Sequence, residues 1–155
     1  MKKGLLVVLG GAVTLSICTG ISRASEKRVN YGDLPPAVKE TVQRETQGAT
    51  VKGYSKEVEN GRIEYEVEMV LHGKSRDVSI DPSGKVIEIE QEVPIDAIPA
   101  PAMAAIQKEA AGGSIGKIEE VKSDSETAYE AHVSDHGKHR EVRVHADGSA
   151  APEQD

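Results

Sequence analysis

Four of the five histidines, His132, His136, His139 and His145, fall in one short stretch. An antiparallel hairpin turning at His136-Gly137 places His132 opposite Glu141. His139 is then its diagonal neighbour, about 7–8 Å away between backbone positions. Two imidazoles and a carboxylate suit Zn²⁺ or Cu²⁺, which makes His132, His139 and Glu141 the candidate metal ligands. The competing reading is plainer: His136 repeats an earlier turn histidine, His72, and the others are solvated residues on an exposed strand pair.

The second concentration is acidic. A hairpin pairing Glu59 with Arg62 sets Glu57 opposite Glu64, and the next sets Glu68 opposite Asp77. Like charges directly across strands are destabilising. Solvation alone accommodates such a face. The sharper reading is that Glu57, Glu64, Glu66, Glu68 and Asp77 meet a basic protein, a peptide or Ca²⁺. Val121, Ala128 and His132 replace Glu57, Glu64 and Glu68 further along the chain, so such binding is asymmetric. These carboxylates read as open to water, unlike the cleft-bound pairs of acid–base catalysts. Gly73-Lys74-Ser75 imitates the end of a phosphate loop, but Glu68 stands where the first Gly is needed and a strand follows instead of a helix. The serines read as turn or polar-face residues, unlike the nucleophile of a serine hydrolase. The expectation is a protein without catalytic machinery or cofactor.

These residues are positioned by a duplication. Tyr65-Glu66 and His72-Gly73-Lys74 recur sixty-four positions on as Tyr129-Glu130 and His136-Gly137-Lys138, and Arg76, Val78 and Gly84 recur as Arg140, Val142 and Gly148. Leu34-Pro35-Pro36 opens a helix over about residues 35–46, with Asp33 as a cap and Gly48 as the stop. Asn60-Gly61 marks a hairpin. Tyr54, Val58, Ile63, Tyr65, Val67, Met69, Val78 and Ile80 alternate onto one apolar face. Asp81 to Gly84 is a turn, and Lys85–Glu92 is a fourth strand. The second copy carries a helix with Ala102, Ile106 and Ala110, then strands over residues 115–123, 128–134 and 139–146, and its fourth strand is degenerate. Residues 33–93 and 94–149 are thus two repeats, between a flexible segment at 25–32 and a tail at 150–155. The expected fold is α+β: two tandem α-β-β-β-β units with helices covering one face of the sheets.

Lys2-Lys3, the apolar run Leu5–Ile21 and Ser22-Arg23-Ala24 form a secretory signal pattern over residues 1–24. The run is too weakly apolar for a spanning helix, so no stable membrane span is expected after cleavage. Cys18, the only cysteine, lies in that run. Ile17 before it is too large for a lipoprotein site, and a cleaved chain holds no thiol for disulfides or metals. The chain has 19 basic and 26 acidic residues, an excess that cleavage increases. This argues against nucleic acid and favours a basic partner or a cation. With no Trp or Phe and only four Tyr, the core is small and aliphatic.

The Leu-Pro-Pro-Ala-Val helix start, the Gly stop, the Asn-Gly hairpin, Tyr-Glu-Val, the Gly-Lys turn and Ile-Asp-x-x-Gly-Lys-Val together resemble the PepSY-like family, related in fold to the tandem repeats of beta-lactamase-inhibitory protein. The resemblance covers Asp33–Glu92 and, less fully, Ile98–Gly148. It implies an exported, periplasmic or secreted, non-enzymatic module that binds a protein or peptide and restrains a peptidase. The runner-up is a periplasmic metal- or calcium-binding protein. The chain lacks the cysteines that staple the secreted inhibitor.

Overall fold

The computed structural model describes residues 26–59 and 61–152. The expected leader, Cys18 within it, and Asn60 of the first hairpin lie outside the described residues. The strands are β1 (Lys27–Arg28), β2 (Thr50–Glu59), β3 (Arg62–Leu71), β4 (Lys74–Ile80), β5 (Val86–Glu92), β6 (Ser114–Ser123), β7 (Thr127–Asp135) and β8 (Lys138–His145). Two helices, α1 (Pro36–Glu45) and α2 (Ala100–Ala110), precede β2 and β6. Among the described residues no helix is long and apolar enough to cross a membrane.

The registers follow the alternation in the sequence. Tyr54 pairs with Val67 and Glu57 with Glu64, Val67 with Val78 and Glu68 with Asp77, and His132 with Glu141. His72 and Gly73, like His136 and Gly137, have positive φ in both turns, as a two-residue hairpin whose twist matches its strands requires. The α+β class stands, with one correction to its layout. The repeats do not keep separate sheets: β5 pairs with β6 from Glu88↔Ser123 to Glu92↔Glu119, and all eight strands form one antiparallel sheet in chain order. Joining them removes two exposed edges that separate sheets would have to protect. The second repeat has three strands where the first has four. Its fourth is reduced to the bridge Val144↔Ala150, with Ala151 N donating to Arg143 O (3.1 Å) and His145 N to Ser149 O (2.9 Å).

Two further expectations give way. Residues 25–32 read as flexible, but Lys27 and Arg28 pair with Lys56 and Ser55, and Val29 N donates to Tyr54 O (3.0 Å). The free backbone groups of the β2 edge recruit this polar segment. Asp33 does not cap α1, whose N-cap position is taken by Pro35 with no side-chain cap. Its carboxylate accepts from Asn30 N and Nδ2 (3.3 and 3.1 Å) and closes a single 3-10 turn over Tyr31–Asp33.

Both helices lie on the same face of the sheet, each over its own apolar cluster. Leu34, Val38, Val42, Val67, Met69, Val78 and Ile80 form the first. Ile98, Ala102, Ile106, Ala110, Ile118, Tyr129, Ala131, Val133, Val142 and Val144 form the second. Full burial of one such aliphatic side chain contributes about 1.5–3 kcal/mol. The predicted stripe stops short of Val58 and Ile63, which stay 46% and 38% exposed at the hairpin tip. Each helix start abuts a glycine turn. A Cβ on Gly84 would lie 2.7 Å from Ala37 O, and one on Gly148 2.7 Å from Pro101 O; both glycines have positive φ. Thr41 Oγ1 donates to Gly84 O (2.6 Å) in the first repeat.

Candidate functional site

The helix-free face carries the polar residues of the alternation, and the β5–β6 pairing runs them together. One row reads Glu68, Asp77, Glu90 and Val121 across β3 to β6. The next reads Glu92, Glu119, Glu130 and Arg143 across β5 to β8. Glu119 is completely buried. Its Oε1 accepts from Lys117 Nζ (2.7 Å) and Ser75 Oγ (3.2 Å), and its Oε2 lies 2.9 Å from His132 Nε2. Glu92 beside it takes Lys74 Nζ (2.7 Å) and Ser75 N (3.2 Å). Arg143 is buried, with guanidinium nitrogens 3.2 Å from Glu88, 3.3 Å from Glu126 and 3.8 Å from Glu130.

Carboxylates still outnumber these cations on the face, and the sequence-based picture of water-open acids is corrected. Burial, then Asp77 and other acids, pushes Glu66 up to about 7. Burial and Glu130 push Glu90 up to about 8. Burial, then Glu141, holds Glu130 at about 7 despite Arg143. Burial raises Asp77 to about 6 against the pull of Lys117. Crowding on a flat sheet removes each carboxylate's water and gives it like-charged neighbours, and both effects favour the neutral form.

Of the residues singled out in sequence, Glu66, Glu68 and Asp77 belong to this crowded centre. Glu57 and Glu64 pair directly with each other nearer the hairpin tip. His132, His139 and Glu141 share the face but are not gathered as a ligand set. His139 Nδ1 lies 2.9 Å from Ser134 Oγ, Glu141 Oε1 is 3.6 Å from His132 Nδ1, and the other nitrogen of His132 turns to Glu119. The ligand atoms of Glu119, Glu130 and His132, and those of Asp77, Glu90 and Glu119, do lie within 4.8 Å of one another. Sequence reasoning missed Glu90, Glu119 and Glu130 because it kept the repeats in separate sheets. The signal was the alternation Glu88-x-Glu90-x-Glu92. It also passed over Gly112-Gly113-Ser114-Ile115-Gly116, which spells the nucleophile-elbow pattern. That string leads from α2 into β6, the reverse of the strand-to-helix order the elbow needs.

A family model described as beta-lactamase-inhibitor-like, PepSY-like matches residues 21–88 and 65–149. The chain belongs to the PepSY-like family. The two matches overlap over residues 65–88 and together reach both helices and the long strands of the PepSY-like sheet. No curated protein matches the chain in sequence. Among solved structures, a periplasmic protein from Bacteroides eggerthii is similar, at 15% identity and a TM-score of 0.61, covering 78% of this chain and 88% of that one. A BLIP-like protein from Bacteroides fragilis has 18% identity and a TM-score of 0.56, covering 79% and 88%. A DUF2874 family protein from Bacteroides ovatus has 16% and 0.59, covering 78% and 87%. At these identities the likeness is one of fold, and it extends over both PepSY-like repeats.

Proposed function

We propose that this is an exported, non-catalytic binding protein of the periplasm or cell exterior, whose helix-free sheet face receives the basic groups of a protein or peptide. Peptidases are the partner class that the family resemblance suggests. The observation that carries the reading is the excess of crowded, desolvated carboxylates at the centre of an otherwise uncovered face. A cationic partner relieves their repulsion and recovers the cost of holding them together. Calorimetric titration with oligo-arginine and oligo-lysine peptides tests it. Binding is expected to weaken with added salt, with falling pH, and in Glu66→Gln/Glu90→Gln. No binding at low ionic strength and pH 8 would overturn it. Pull-down from an envelope extract then identifies the natural partner.

The closeness of Glu119, Glu130 and His132 favours a second reading, a divalent metal site of two carboxylates and one imidazole. Micromolar zinc should raise the melting temperature of the intact protein and not that of His132→Ala. Melting that ignores zinc in both proteins ends this reading and leaves the first untouched.

A further inference from the structure

Each repeat bears the same bulge on its first long strand, between Val51 and Gly53 in β2 and between Ile115 and Ile118 in β6. Sixty-four positions separate Gly53 from Lys117. Lys117 reaches its own open face and donates to Glu119. Gly53 has no side chain, and the space is filled from outside: a Cβ built there would lie 2.2 Å from Arg28 Nη1 and 3.8 Å from Glu68 Oε2. The Arg28 guanidinium crosses the strand at this point and meets Glu68 Oε1 at 2.6 Å. A cation thus rests at the bulge in both repeats, built into the second and borrowed from β1 in the first.

The borrowed cation is lightly held. It comes from a strand of two residues at the sheet edge, and the Arg28 side chain is 60% exposed. Beside it Ser55, paired with Glu66 across the ladder, is fully buried, and its hydroxyl has no hydrogen-bond partner. A buried hydroxyl without a partner is costly, and here it stands on the same face as an unfilled donor and acceptor. Gly53, Ser55, Glu66 and Glu68 therefore make a seat shaped for a planar cation. The chain's own Lys27–Val29 shows the approach: an extended segment hydrogen-bonds to the β2 edge and drops a guanidinium over Gly53.

We propose that Gly53 and Glu68 form an arginine-binding subsite, occupied in the resting chain by Arg28 and exchanged for an arginine of an extended partner segment that adds to the β2 edge. The inference rests on the reading of the acidic face as a surface for basic partners. Strand addition supplies backbone hydrogen bonds, and the seat supplies the side-chain choice. Guanidinium fits better than ammonium because it is flat and forks onto a carboxylate.

The test titrates a capped peptide of alternating Arg and Thr, and its citrulline counterpart, into the full chain and three variants. Arg28→Ser should tighten Arg-peptide binding about two- to fivefold, as expected from removing one exposed competing ion pair. Arg28→Ser/Gly53→Val should lose that gain by filling the seat, and Arg28→Ser/Glu68→Gln should lose it by removing the charge. Gly53 has negative φ and only Arg28 and Glu68 side-chain atoms near it, so the valine is compatible with the fold, and circular dichroism checks it. The citrulline peptide should respond to none of these changes. Binding by wild type with no gain in Arg28→Ser, or a gain that survives Gly53→Val, overturns the seat and leaves the face reading standing. No binding by any variant overturns both.

Discussion

The two repeats build opposite halves of one sheet with the same devices: a proline-led helix, a bulge, a left-handed His-Gly turn and a glycine that lets the helix start touch the last turn. They diverge on the open face. At corresponding places the first repeat has Gly53, Ser55, Glu66 and Glu68, and the second has Lys117, Glu119, Glu130 and His132. The second half carries its own Lys117, His132 and Arg143, and buries Glu119 and Arg143 with help from Ser75 and Glu88 across the seam. The first half draws a cation from a two-residue edge strand and leaves the Ser55 hydroxyl unpaired. Duplication preserved what folds the chain and freed the outer face to vary. The second half brings its own cations to the face where the first borrows Arg28 from the sheet edge, and this points to the first half as the side where a partner's cation contributes most.

The comparison breaks most visibly in the cores. Ile106→Ala in the second cluster should cost about 2–5 kcal/mol by cavity formation, measured by urea denaturation. Because β5 and β6 join the clusters, the loss should appear as one shifted transition. Two separate transitions would show that the halves are energetically independent.

A paired substitution at equivalent positions sharpens the contrast between the faces. Glu119→Ala strips partners from Lys117, Ser75 and His132 and should cost about 1–3 kcal/mol. Ser55→Ala removes a hydroxyl that has no partner and should be neutral or stabilising. Equal losses at the two sites would refute the contrast between a partnered Glu119 and an unpartnered Ser55.

The dependence on pH follows from the raised carboxylates. Glu66, Glu90 and Glu130 bind protons more tightly in the folded chain than in the unfolded one. Their contribution to stability is complete below the ordinary carboxylate value of 4.5 and is lost as pH rises through about 7 to 8. Asp81, held low by Ser83, and Glu92, held low by Lys74, act in the opposite sense below the ordinary range. The melting temperature should therefore climb from pH 8 towards pH 5 and fall again in stronger acid. A monotonic rise from pH 5 to pH 8 would show that these acids are not crowded as described.

The smallest effect concerns the metal reading. His139→Ala should leave stability within about 0.5 kcal/mol of wild type and leave any zinc-induced rise in melting temperature unchanged. His132→Ala should abolish that rise. Loss of the zinc response in both variants would restore the ligand trio expected from sequence.

Much of this fold was legible because strand alternation and the sixty-four-residue repeat are local signals. Asn-Gly and His-Gly fix turns, turns fix register, and register puts Glu57 against Glu64 and His132 against Glu141. The centre of the site was not legible, because it depends on β5 pairing with a strand of the next repeat. Glu90, Glu119 and Glu130 meet only through that pairing, and no local pattern states it. Arg28 was hidden for another reason. A two-residue strand of charged residues has no periodicity, and only the free edge of β2 explains why it orders.

Each strand of the sheet pairs with its neighbours in the chain, from β1 to β8. Within each repeat the long strands are joined by short turns, so these pairings close only small loops and should form early. Either hairpin pair can form first, and the sheet then grows outward one strand at a time. The seam between the repeats closes the longer connection that holds α2 and completes that growth. A doubled chain of this design can assemble without its copies having to recognise each other as finished parts.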